Sequence, residues 1–98
     1  DLQDFAAQMC DAIGANTGRI AAVSDRDAII ALSGAPKREL LDKPNSEELA
    51  RLMEQRKNYR YEVGSAAIPA TEGSDKYRLD VHLTCECIEI EWNTELIL

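Results

Sequence analysis

The 98-residue chain has no apolar run approaching the length a membrane-crossing helix needs, about 20 residues. It shows no secretory leader, and it starts on Asp1 rather than Met. These features read as one excised or processed cytoplasmic domain, with part of the protein's function carried elsewhere. Basic residues are scarce: 11 against 18 acidic ones, for a net charge of −7. That balance excludes autonomous nucleic-acid binding, which needs clustered Lys and Arg to neutralise phosphates. The densest basic stretch, Arg51, Arg56, Lys57 and Arg60, spreads around a helix and is offset by Glu47, Glu48 and Glu54. Cysteines number three, an odd count that excludes a closed disulfide framework and suits a reducing compartment. The single histidine leaves little for nucleophilic catalysis, because Ser33 and Ser46 lie near no histidine in sequence. No enzyme is expected, and no cofactor.

What is present is an ordinary globular composition, 45% hydrophobic and 30% charged. Leu2, Phe5, Ala6, Met9, Cys10 and Ile13 follow helical spacing, so an amphipathic helix is expected over Leu2–Ile13 and is expected to end at Gly14. Arg19–Ser24 and Ala28–Ser33 read as an antiparallel hairpin about Asp25-Arg26-Asp27. The small residues Ala22 and Ala31 leave space on that sheet, either for a closely packed helix or for a ligand. Pro36 opens a short helical turn over Lys37–Asp42. A further helix is expected over Ser46–Asn58, capped by Asn45 or Ser46. Tyr59–Val63 reads as a strand and Gly64–Lys76 as a loop. Tyr77–Trp92 alternates strongly, as one or two strands. The alternation places Tyr77, Leu79, Val81, Leu83, Cys85 and Cys87 on the apolar face and His82 on the polar one. A bulge is expected near Cys87-Ile88, where the phase slips. The terminal Leu96-Ile97-Leu98 is apolar enough to dock or to mark a truncation.

His82, Cys85 and Cys87 invite a metal reading, but strand parity sets the histidine opposite the cysteines, so no metal site is expected. Asp25 and Asp27 read as turn chemistry rather than a catalytic pair. Glu86, Glu89 and Glu91 read as a solvated face. Gly14-x-x-x-Gly18 connects a helix to a strand and is too sparse for a nucleotide fingerprint.

Several stretches together resemble a known family. They are Leu2-x-Asp4-Phe5-Ala6, Asp11-Ala12, Ser24-Asp25-Arg26-Asp27 and Ala31-x-Ser33-Gly34. The longest is Lys37-x-x-x-Leu41-x-Lys43-x-x-Ser46-Glu47-x-Leu49-x-Arg51-x-Met53-x-Gln55-Arg56. In these the chain is similar to the C-terminal domains of the stage V sporulation protein T family, AbrB-type transcription regulators. The likeness spans about 2–56 and weakens beyond Gly64. There the family pattern calls for an Ala-Pro-Ile strand, a Gly-Asp turn, an Ile-Gly strand and a final helix. The resemblance implies an α+β, GAF-like antiparallel sheet flanked by helices, here with a divergent or incomplete C-terminal part.

It also implies a regulator of gene expression in spore-forming bacteria, with helices beside the sheet contributing to oligomerisation; the leading expectation built on it is a non-catalytic, signal-sensing and oligomerising regulatory domain. DNA would be bound only through an AbrB-type domain not included in these residues. Fold analogy puts Ala31, Ser33, Arg38 and Arg51 at a cleft for a small ligand of unidentified chemistry. The helix carrying Leu2, Phe5, Met9 and Ile13 is the expected homo-oligomer contact. The alternative is a purely structural multimerisation module without a ligand, and after it a small metal-binding protein.

Overall fold

The computed structural model describes residues 2–73, 76–87 and 92–97. The chain runs α1 (Leu2–Thr17), β1 (Ala21–Ser24), β2 (Ile29–Ser33), α2 (Lys37–Leu40), α3 (Glu47–Glu54), β3 (Tyr59–Arg60), β4 (Val81–Cys87) and β5 (Trp92–Ile97). The strands form one antiparallel sheet in the order β2-β1-β5-β4-β3. The α+β class read from the sequence is the observed one.

α1 is longer than its apolar pattern suggested. It passes through Gly14 and stops at Thr17, where Gly18 takes a left-handed φ of 69° and its N–H closes on the Gly14 carbonyl at 2.8 Å. Gly14 is therefore not a terminator. A Cβ there would come within 3.0 Å of Ser33 Oγ, so its bare backbone lets α1 lie close on β2.

The β1–β2 hairpin follows from local chemistry. Asp25 Oδ1 accepts the N–H groups of Asp27 and Ala28 at 2.8 and 2.9 Å, which fixes the turn as the sequence indicated. A register shift at Val23/Ser24 leaves Ile30 without a partner residue on β1. The bulge turns Ile30 and Ala31 toward one face, while Ile29 and Leu32 point to the other.

Both faces of β1 are covered, so all four of its residues are buried. On one side, Ala6 and Cys10 of α1 pack on Ala21, Val23 and Ala31. On the other, Leu40, Leu49 and Met53 from α2 and α3 meet Ala22, Ile29 and Leu32, with Ala70 and Leu79 completing the layer. α3 begins at Ser46, whose Oγ accepts the Leu49 N–H at 3.0 Å. It ends earlier than expected because Arg56 adopts a φ of 53°. The Arg56 and Lys57 N–H groups then bond back to the Met53 and Leu52 carbonyls at 3.1 and 3.0 Å, a Schellman closure with arginine in the usual glycine position.

Two expectations for the later strands need correction. The strand over Tyr59–Val63 shrinks to Tyr59–Arg60, because the chain turns at Glu62, whose carbonyl accepts the Ser65 N–H at 3.0 Å. The alternation over 77–83 does not continue in one phase. Leu79 is buried, but so is His82, whereas Leu83 is among the exposed residues. The pattern slips at Asp80. Before that bend the Leu79 N–H bonds to the Ile68 carbonyl at 2.8 Å, and β4 starts only at Val81. Of the apolar tail, Leu96 and Ile97 join the sheet, as β5 pairs with both β1 and β4; Leu98 lies outside the described residues. The bulge expected at Cys87-Ile88 and the face assigned to Glu86, Glu89 and Glu91 lie outside the described residues.

Candidate functional site

The four residues assigned to a ligand cleft are not brought together. Ala31 is buried beneath α1, and Ser33 stands against Gly14 on that same side. Arg38 and Arg51 are exposed on α2 and α3, the helices that cover the opposite face of the sheet. The two alanines whose small size left two readings open split between them. Ala31 admits the close helix. Ala22 borders a cavity of about 50 Å3, walled by Ile20, Ile29, Leu40, Ala70, Tyr77 and Arg78. That space between sheet and α2 is enough for water-sized guests and far below the few hundred Å3 of a small-molecule pocket.

Residues assigned to an oligomer contact divide as well. Met9 and Ile13 pack against the cluster under α1. Phe5 points away from it and is 62% exposed, while Leu2 is half-buried.

Sequence reading missed a polar group at the mouth of the small cavity. Lys76 Nζ reaches both carboxylate oxygens of Glu39, at 2.9 and 3.1 Å, and the Tyr77 hydroxyl donates to the same carboxylate. The Lys76 ammonium also lies 5.5 Å from the centre of the Tyr77 ring. The Tyr77 hydrogen bond, with Lys76 next, holds the Glu39 carboxyl below its usual range. The shared bond raises the Tyr77 hydroxyl, and Glu39 raises the Lys76 ammonium. No periodic pattern links Glu39 to residues nearly forty positions later, so only the fold reveals the group.

A second polar group lies inside. Ser24 Oγ and Asn45 Nδ2 approach the Met53 sulfur at 3.9 and 3.6 Å, and Asn45 Nδ2 also donates to the Asp25 carbonyl at 2.9 Å. These contacts tie the hairpin turn to α3. Between that turn and the end of α3 opens a cleft of about 310 Å3, lined by Arg26, Ala50, Met53, Glu54 and Arg56.

Cysteine chemistry is muted. Cys10 is an unbridged, buried thiol, pushed up to about 11 by burial and then by Asp11, with a backbone bond from Val23 in opposition. At neutral pH it is a packing residue. His82 is buried rather than exposed as its parity suggested. Among the described residues no three His, Cys, Asp or Glu side chains group as metal ligands, and the side chains of Cys85 and Cys87 lie outside that set. No described helix is long and apolar enough to cross a membrane.

Comparison with known proteins places this arrangement. The family described as "Stage V sporulation protein T C-terminal, transcription factor" matches residues 1–88. The chain belongs to that family. The match runs beyond Gly64, through the 64–80 segment and into β4. Stage V sporulation protein T of Bacillus subtilis (strain 168) is 36% identical over 76 residues, which cover 78% of this chain and 42% of that protein. The chain thus spans less than half the length of the relative it matches. The family is described as one of transcription factors, and the relative is named as a sporulation protein.

Proposed function

We propose that this domain is the non-catalytic regulatory part of a cytoplasmic sporulation-type transcription regulator, self-associating through α1 and sensing a signal that reaches DNA-binding arms outside these residues. Family membership supports the regulatory role. The observation that carries the self-association is the exposure of Phe5 on a helix whose other face already seals the sheet. Covering that ring with a partner would gain roughly 25 cal/mol for each Å2 of apolar surface removed from water. Signalling would require a ligand or partner with different affinities for two arrangements of that helix. The GAF-like description fits a central antiparallel sheet with helices on both faces.

The small interior cavity favours a second reading, a multimerisation module with no ligand between sheet and helices. Sedimentation equilibrium of the wild type and Phe5→Asp tests the self-association. The wild type is expected to be a multimer and the variant a folded monomer. A multimer unaffected by the substitution would remove α1 as the contact. Native mass spectrometry, compared with a denatured spectrum, separates the two readings by whether a releasable small molecule accompanies the multimer.

A further inference from the structure

We infer that the cleft between the Asp25–Asp27 turn and the end of α3 binds a small zwitterionic amino acid. Its carboxylate would be held by Arg26 and Arg56, its ammonium by Glu54, and its side chain would lie on Ala50 and Met53. This site supplies the sensing half of the reading above, and it is separate from the sheet–helix interior.

Four observations converge on it. At about 310 Å3 the cleft has the volume of a small-molecule site. Its lining residues are two arginines, one glutamate, an alanine and a methionine, the residue types that offer counterparts to both charges of an amino acid and to an apolar side chain. Among the described residues neither Arg26 nor Glu54 makes an ion pair. Glu54 is the last residue of α3, where the helix dipole favours a cation, so the ammonium belongs at that end. A dianion would bring its second negative charge against Glu54 and the same dipole.

The backbone supplies the fourth observation. Arg56 holds φ at 53°, at the helix-terminating position that glycine fills best. The fold would be better served by glycine, and the arginine instead places a guanidinium at the cleft. Strain held at a ligand-lining residue is the pattern expected of a binding site.

The test is a titration of the 15N-labelled chain, followed by NMR, with L-norleucine, hexanoate, pentylamine and inorganic phosphate. Norleucine is expected to shift the amides of 25–27 and 50–57 saturably. Hexanoate and pentylamine, each lacking one charge, are expected to bind at least about tenfold more weakly, the loss of one charged contact. Arg56→Gly should abolish the norleucine shifts while raising the thermal midpoint, a combination that a merely structural arginine would not give. Glu54→Gln should weaken norleucine and spare hexanoate. The inference is overturned if norleucine causes no saturable shift, if hexanoate or phosphate binds as tightly, or if Arg56→Gly still binds. Should no probe bind while Phe5→Asp still dissociates the multimer, this site falls and the self-association stands.

Discussion

Gly14 of α1 and Ser33 of β2 stand so close that a Cβ at position 14 would lie 3.0 Å from Ser33 Oγ. Helix propensity and packing therefore oppose each other at this point. Alanine in a helix interior gains roughly 0.5–1 kcal/mol over glycine, and the contact with Ser33 offsets that gain. Gly14→Ala alone is expected to be nearly neutral. In a Ser33→Ala background it should stabilise by about the full 0.5–1 kcal/mol. Urea denaturation of the four members of the cycle measures the coupling. A full gain in the single variant would mean that Ser33 turns aside without cost.

On α1, exposure separates two substitutions that look alike in sequence. Phe5→Asp should change monomer stability by less than ~0.5 kcal/mol, because the ring is mostly in water. Met9→Asp should cost more than ~2 kcal/mol, since Met9 packs on the cluster around Cys10 and would force a carboxylate against it. Chemical denaturation of both variants at low protein concentration decides this, and equal losses would mean that Phe5 is packed.

The start of α3 depends on one hydroxyl. Ser46→Ala removes the acceptor for the Leu49 N–H and should cost about 1 kcal/mol. Ser46→Asp should recover most of it, because a carboxylate can accept the same N–H and suits the helix N-terminus. An alanine variant as stable as the wild type would show that the cap is dispensable.

The Glu39 group sets a pH response. Glu39 is depressed in the fold, so its contribution is present above the unfolded carboxylate range and is lost as pH falls through the folded value. Lys76 and Tyr77 are raised, so theirs is complete below their unfolded values and is lost as pH rises into the alkaline range. Lys76 is exposed and Glu39 and Tyr77 are half-buried, so solvent screens the group and the expected changes are modest. Urea midpoints of the wild type and Glu39→Gln should converge toward pH 3 and separate near neutrality. A constant gap across that range would exclude Glu39 as the titrating group.

Cys10 should resist alkylation in the folded protein at pH 7.5, because burial keeps the thiol protonated. Peptide mapping after iodoacetamide treatment should show Cys10 modified only once urea unfolds the chain. Rapid native labelling would mean that α1 opens readily from the sheet.

The parts of the fold legible in the sequence are those fixed by neighbours in the chain. The Asp25 turn and the Ser46 cap each involve residues two or three apart, and each has the expected side-chain acceptor. The length of α1 was not legible, because Gly14 reads as a terminator until Ser33 is seen across from it. Nor was the phase of 77–83. Leu79 is tied to Ile68 and Asp80 to the Tyr61 N–H, and those long-range bonds place a slip before β4. The expectation of a cleft at Ala31, Ser33, Arg38 and Arg51 rests on fold analogy and position in the chain. The bulge in the β1–β2 pairing and the covering of opposite sheet faces by α1 and α3 keep Ala31 and Ser33 away from Arg38 and Arg51.

The sheet order carries a consequence for biosynthesis. β5 follows the other described strands in sequence yet lies at the middle of the sheet, between β1 and β4, with Ala22 opposite Ile97. The hairpin made first must therefore wait on the ribosome with its inner edge unpaired until residues 92–97 have emerged. Until then β1–β2 and β3–β4 are two half-sheets with facing open edges, each a template for the wrong neighbour. A nascent chain stalled short of residue 92 is expected to hold both half-sheets without the strand that joins them.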